Sequence, residues 1–291
     1  MKKYIIVMLL AIVSTISMAD IPKKFKIYTN SGVGVAGTWC RALVESYNKK
    51  YDSEAILIIK SGTGGLLATL DMLKDPELSV QCLAGMSELF FNRLQYPTYA
   101  KELEMVSIIN MCCESPVMFN TRLSNSFNTL PELLNSKKIL TIGYHTTAAK
   151  IIAAKIFSPN STFVNFKSAV EALPSIVEGS IDVYIDGGTL STTGLTKSLG
   201  RVFGPDTTPG INLTDKYKDV IFRIPSGNIS SKKYEEHFEE LNRRFNIIQK
   251  DDIMTNAIIK INNDILSLDL PQSKAYIQSI SNNIKDIKIV F

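Results

Sequence analysis

Beyond its N-terminal leader the chain has no stretch approaching the ~20 apolar residues that cross a bilayer, which excludes a protein with internal membrane spans. The spacing of its four cysteines gives no metal pattern. Lysines and arginines are dispersed, and no basic run is interleaved with aromatics, so no nucleic-acid partner is indicated. G-x-G-x-x-G and the G-K-[ST] ending of a phosphate loop are both missing, which removes the two commonest nucleotide motifs. No cofactor and no metal is expected. What remains is an ordinary globular composition, 45% hydrophobic and 21% charged over 291 residues, enough for one large domain or two lobes.

The N-terminus stands apart. Lys2 and Lys3 form a basic n-region, Tyr4 to Ile16 an apolar core, and Ser17-Met18-Ala19 a small-x-small cleavage site before Asp20. The alternative is an N-terminal membrane anchor. No cysteine lies near the cleavage site, so a lipid anchor is not expected. The formal charge is +4, and Lys2 and Lys3 supply two of those positive residues, leaving +2 after cleavage. In an exported protein the cysteines raise the question of disulfides. Cys112 and Cys113 are adjacent in a strand-like run and should point to opposite faces. Buried thiols are the favoured reading for Cys40, Cys82, Cys112 and Cys113, with one disulfide as the alternative.

The chain is organised around Ser61-Gly62-Thr63-Gly64-Gly65, which follows the strand-like Ala55 to Lys60 and precedes a helix over Leu66 to Leu73. Strand, glycine turn and helix together aim free backbone N–H groups at an anion. Similar units recur. Lys24 to Thr29 leads into a glycine loop, Asn30 to Gly37, and a helix for which Thr38 is the N-cap candidate. Leu78 to Gly85 leads into a helix opened by Met86-Ser87-Glu88. Met105 to Asn120 is one long extended stretch, interrupted at Glu114-Ser115-Pro116, of the kind that leaves one sheet and enters another. The rhythm then restarts with strands at Ile139 to Gly143, Thr162 to Phe166 and Ile181 to Ile185. Their loops carry Tyr144 to Thr147, Lys167-Ser168 and Asp186 to Thr189. Val220 to Ile224 is a further strand, followed by Pro225-Ser226-Gly227. The rest reads as helix: Ser231 to Ile248, Asp251 to Leu266 and Ser273 to Ile284. Repeated strand–helix units define an α/β protein, whose ligands bind at the carboxyl ends of the strands.

These motifs resemble the substrate-binding proteins of tripartite tricarboxylate transporters, a type II periplasmic binding protein family, over nearly the whole chain after the leader. The interval from Arg41 to Gly62 is similar to the family's spacing between a first-helix arginine and a P-G-A-G-G turn, here Ser61 to Gly65. Ser115-Pro116-Val117-Met118 resembles its S-P-L-V crossover. Asn165 to Ser168 resembles P-Y-K-G, and Ile181 to Asp186 resembles V-D-V-M-F-D. The first loop departs: where the family has P-G-G-P-T-D, this chain has Gly32 to Gly37 and no threonine or aspartate. Gly37-Thr38-Trp39 is similar to the G-T-Y-Y of TRAP-type binding proteins, which keeps that sibling family open.

The resemblance implies a two-lobed clamshell with a parallel-rich sheet in each lobe and helices on both faces. Expected boundaries are a signal peptide over 1–19, one lobe from 20–117 plus 220–291, and a second from 118–219. It also implies a periplasmic monomer that captures a small di- or tricarboxylate, or a related acid, and hands it to the membrane subunits of a secondary transporter. A sensory binding protein that feeds a receptor would use the same clamshell. Such families hold carboxylates with loop amides, hydroxyls and waters rather than a salt bridge. The ligand-binding candidates are Gly34, Gly37, Thr38, Thr63, Gly64, Ser87, His145, Thr146, Thr147, Lys167, Ser168 and Asp186.

Each candidate has a structural alternative. Thr63 and Gly64 would merely make a tight turn. Ser87, Thr146 and Thr147 would cap helices. His145 would be an exposed loop residue, Lys167 a solvated strand end, and Asp186 the organiser of its own loop. Trp39 belongs to the core and His237 to a solvated helix face, as do Lys232-Lys233 and Arg243-Arg244. A cysteine–histidine hydrolase built from Cys112 or Cys113, His145 and Asp186 has no local motif behind it, so no catalytic residue is expected.

The leader makes a direct prediction. Intact-mass measurement of the exported protein should find a chain beginning at Asp20, and a membrane-bound product retaining Met1 to Ala19 would refute it.

Overall fold

The computed structural model describes residues 20–190, 193–202, 223–261 and 263–285. The leader expected over Met1–Ala19 and the start of the strand expected at Val220 lie outside them. β1 (Lys26–Thr29) leads into α1 (Gly34–Tyr51), β2 (Ile56–Ile59) into α2 (Leu66–Lys74), and β3 (Ser79–Ala84) into α3 (Glu88–Gln95) and α4 (Ala100–Glu104). β1 pairs in parallel with both β2 and β3. β4 (Val106–Arg122) follows, 17 residues long, or roughly 55 Å at the usual strand rise. Then come α5 (Leu130–Asn135), β5 (Thr141–Tyr144), α6 (Thr147–Ile156), β6 (Thr162–Asn165), α7 (Ala169–Glu178), β7 (Val183–Asp186) and β8 (Thr196–Val202). β5 is parallel to β6 and β7. The chain closes with β9 (Arg223–Ser231), a 3-10 segment over Lys232–His237, α8 (Phe238–Ile248), α9 (Asp252–Lys260), β10 (Asp264–Ile265) and α10 (Leu270–Lys285).

The architecture is the expected two-lobed α/β arrangement, and β4 belongs to both lobes. As far as Pro116 it pairs antiparallel with β9, and from Val117 with β8 and β7. Hydrogen bonding therefore runs through β2-β1-β3-β9-β4-β7-β5-β6 without a break. β4 is buried at every residue from Ile109 to Thr121, with Asn110, Glu114, Ser115, Asn120 and Thr121 among them, so its burial does not alternate. In the first strand group Ile27, Val80 and Cys82 pack on Trp39, Leu43, Phe245 and Ile258, while Tyr28 and Leu83 face Met72, Phe91 and Ile277. Alternation along the strands thus puts helices on both faces. In the second group Phe119, Ile142 and Ile185 pack on Leu130, Ala149 and Ile152, and Tyr184 turns the other way, onto Ala172 and Ile176. Trp39 is fully buried, as expected of a core residue.

Several local readings change. α1 begins at Gly34 with Val33 as N-cap, so Thr38 lies inside the helix. The glycine loop becomes its first turn because Arg41 reaches back, donating to the Gly37 carbonyl at 3.2 Å and to that of Gly32. Pro225-Ser226-Gly227 is not a loop but part of β9. Register shifts in β4 near Asn110 and Met111 let the two strands approach, and Gly227 lies against the Asn110 backbone where a side chain would collide. His237 is half-buried within the 3-10 segment rather than on a solvated α-helical face. The helix expected to reach Leu266 stops at Lys260 before β10. Arg244 is not simply solvated: it joins Glu240 at 2.6 Å to the Tyr47 hydroxyl at 3.1 Å, tying α8 to α1.

Cys40 and Cys82 form a disulfide, with Cα atoms 5.9 Å apart, against the favoured reading of four thiols. Cys40 lies on the face of α1 that packs on β3. Cys112 and Cys113 are free and both buried in the same cluster, not on opposite faces, because the register shift between Met111 and Cys113 interrupts the alternation. In the chain-entropy account a bridge across a sequence separation of 42 contributes about 4 kcal/mol. A thiol titration in denaturant should count two thiols without reductant and four with it; four before reduction would exclude the disulfide. Cys40→Ser with Cys82→Ser should lower the melting temperature.

Candidate functional site

The glycine turn sits where the two lobes meet. Thr63 and Gly64 have φ of +47° and +57°, and Gly62 and Gly65 have φ of +125° and +91°. Such a run of left-handed backbone needs glycine at most positions. The turn meets a residue at the opening of the next helix. A Cβ built on Gly64 would lie 2.7 Å from Oε2 of Glu88, at the start of α3.

Glu88 is 2% exposed and reaches across to the second lobe. Its Oε1 accepts from the Ala148 amide at 3.2 Å and its Oε2 from the Thr147 amide at 3.4 Å. The Thr147 hydroxyl also bonds it. These amides belong to the first turn of α6, whose own chain cannot use them and whose dipole places partial positive charge there. A carboxylate of the protein therefore sits in an anion seat made by the second lobe and roofed by the glycine turn of the first. Burial pushes the Glu88 carboxyl up to about 7, outweighing the opposing effect of the Ala148 and Thr147 donors.

The other candidates separate into groups. Thr146 caps α6, its hydroxyl accepting from the Ala149 amide at 3.1 Å. Ser87 does not cap α3; its Oγ is buried without a hydrogen-bond partner among the described residues. Gly34 lies against Thr189, whose Oγ1 would be 3.2 Å from a Cβ there, so the first loop also touches the second lobe. Gly37 packs on Gly32, and half-buried Thr38 follows it along α1. Lys167 and Ser168 cap α7: the Ser168 hydroxyl accepts from the Glu171 amide at 3.2 Å, and the Glu171 carboxylate from the Lys167 amide at 2.9 Å. No described contact links these two to Glu88.

His145 is not exposed. Its ring lies parallel to that of Tyr184, centroids 5.9 Å apart, and its Nδ1 is 2.9 Å from the Tyr184 hydroxyl. Burial holds it neutral, with its pKa down to about 4. Asp186 organises its own loop, accepting from the Gly188 and Leu190 amides at 3.0 and 2.9 Å and from Asn120 Nδ2 at 2.7 Å. Burial still lifts it to about 6. Cys112 and Cys113 lie in the first lobe's core, and the described bonds of His145 and Asp186 go to other partners, so no hydrolase constellation forms from these residues. Among the described residues no cluster of acidic, histidine or cysteine side chains fits a metal, and no helix is long and apolar enough to cross a membrane.

No protein-family model and no curated protein matches the chain. Solved structures match its fold, that of type II periplasmic binding proteins. The periplasmic binding protein BugD is 14% identical, with a TM-score of 0.73 over 91% of this chain and 95% of its own. MatC of Rhodopseudomonas palustris, solved with bound malate, is 14% identical with a TM-score of 0.71 over 91% and 98%. Rpa4515 of R. palustris, solved with adipate, is 13% identical with a TM-score of 0.77 over 91% and 96%. These neighbours are binding proteins, and two of them hold small carboxylates.

Glu88 makes stability depend on pH. An acid whose pKa rises on folding contributes its full stability only below the unfolded value of about 4.5, and that contribution is lost as pH climbs through about 7. The interval corresponds to about 3 kcal/mol, or several degrees of melting temperature. Glu88→Gln does not titrate. Between pH 5 and pH 8 the melting-temperature difference should move by several degrees in the variant's favour. A difference independent of pH would mean that burial does not disfavour the Glu88 anion.

Proposed function

We propose that this protein is an exported solute-binding protein that closes its two lobes on a small organic acid and delivers it to a tripartite tricarboxylate-type transporter. One observation supports the reading: between the lobes the first-turn amides of α6 and the Thr147 hydroxyl hold a carboxylate, that of Glu88, beside a glycine turn. Amides and hydroxyls bind a carboxylate without a basic side chain, because the helix terminus supplies the positive potential. The motif resemblance and the malate- and adipate-bound structural neighbours point the same way. In this reading the lobes are 20–117 with 220–291 and 118–219, in keeping with the change of strand partners along β4. Thr63, Gly64, Ser87, Thr146 and Thr147 line the ligand, Gly34 and its loop close over it, and the protein turns over no substrate. The periplasm is its compartment, and hinge closure is its motion.

A thermal-shift panel of malate, adipate, citrate, aromatic acids, amino acids, sugars and divalent metals tests this. A ligand at 100 times its dissociation constant stabilises the fold by about 2.7 kcal/mol, which for a chain of this size is roughly 5–10 °C. At least one carboxylate should reach that range. Gly64→Val, which forces a branched residue into positive φ and onto Glu88, should remove the shift while the unliganded protein still melts cooperatively. Stabilisation by sugars or metals and not by acids would overturn the assignment.

A further inference from the structure

We propose that Glu88 is a tethered stand-in for the ligand: its carboxylate occupies the seat on the first turn of α6, and an incoming acid must displace it. The inference rests on the carboxylate reading above and goes beyond it by naming the residue that sets the affinity.

The geometry has three parts. First, the groups that hold Glu88 come from the opposite lobe. Oε1 and Oε2 each take one amide of α6, at 3.2 and 3.4 Å, from residues 60 and 59 positions away along the chain. Such a bond exists only while the lobes are together, so Glu88 latches them as a ligand would. Second, the donors are already taken. The Thr147 and Ala148 amides both go to Glu88, and on the Gly64 side a methyl group would lie 2.7 Å from Oε2, so an acid that uses the same amides has to replace Glu88. Third, the occupant is poorly compensated. Gly64, Gly85, Thr147 and Ala148 face Glu88, and none of them carries charge. The nearest titratable residue along α6's entry, His145, turns its ring to Tyr184 instead. Burial disfavours the Glu88 anion. An anion with no charged partner among the described residues, in a dry site, is exchangeable, because leaving the seat for water returns the solvation it lost.

The consequence is competition inside one molecule. A ligand whose site is mostly filled by a tethered group binds with an affinity reduced by the fraction of molecules in which the site is free. Removing the tethered carboxylate should restore the intrinsic affinity. It should also create a vacancy of the size and chemistry of acetate, which is the side-chain terminus removed in Glu88→Ala.

The test uses the full mature chain, with acetate, malate and adipate as probes. In Glu88→Ala, acetate should raise the melting temperature saturably, whereas the wild type at the same ionic strength should not respond. Titration calorimetry should find the better of malate and adipate bound at least about tenfold more tightly by Glu88→Ala than by wild type. Acetate should compete with it in the variant. Glu88→Gln, nearly isosteric and neutral, covers the case in which the alanine variant does not fold, and should shift affinity in the same direction by a smaller factor.

Unchanged or weaker binding in a folded variant would overturn the proposal and make Glu88 part of the binding surface. An equal acetate response in both proteins would overturn it as well, since that is a general ion effect. If the wild type binds these acids and the variant binds them no better, the proposed function survives and only the competitor role falls. If neither protein binds any acid of the panel, the carboxylate reading itself fails and takes this proposal with it.

Discussion

One strand sets the terms for everything around it. β4 enters the first lobe, is buried on both faces for thirteen consecutive residues, and emerges in the second lobe still hydrogen-bonded. Two of the polar side chains it carries are paired with neighbouring strands: Asn110 Oδ1 accepts from Asn228 Nδ2 at 2.7 Å in the first lobe, and Asn120 Nδ2 donates to Asp186 at 2.7 Å in the second. Because β9 and then β8 and β7 pair with successive stretches of the same strand, the two lobes are fixed to a common axis. The carboxyl ends of β1, β2 and β3 then present their loops toward those of the second lobe, which is the arrangement that makes a cleft.

What crosses that cleft is chemically simple. A helix start offers amides that its own helix cannot satisfy, and a glycine turn lets another group come close without a side chain in the way. Given those two features, a carboxylate is the natural occupant, and Glu88 is the carboxylate within reach. The carboxyl loses its hydration and gains two amides and a hydroxyl in return. Desolvation is the larger effect, and it leaves the group far less acidic than a glutamate in water. The same balance appears at Asp186, where several donors lower the pKa and burial raises it further. There the carboxylate shapes a loop within one lobe; at Glu88 it spans two. The difference lies in which chain segment supplies the donors.

Much of the fold was legible in the sequence. Leu66 to Lys74 is a helix close to where the sequence puts it, and the strand–helix rhythm continues with helices over Thr147 to Ile156 and Ala169 to Glu178. Thr146 and Ser168 cap as their residue types suggest. The glycine turn adopts the positive φ values that its composition implies. The α/β rhythm, the long shared strand and the family resemblance together led to the two-lobed fold. Each of these depends on neighbours within a few residues, or on a pattern repeated along the chain.

The remaining features depend on partners far apart in sequence. Whether Cys40 meets Cys82 follows from how α1 lies on β3, which pairs residues 42 positions apart. Cys112 and Cys113 share a cluster because the register shift between Met111 and Cys113 breaks a strict alternation. His145 is half-buried against Tyr184, and Pro225 continues a strand, for similar reasons. Glu88 is the clearest case. In sequence it is an acid in the first turn of a helix, a position where acids ordinarily serve their own helix. Only the packing of one lobe on the other brings it to the amides of Thr147 and Ala148. Local sequence determined that this protein would present free amides and open turns at its strand ends; the tertiary structure decided which carboxylate they would hold, because that choice is made by proximity across the cleft.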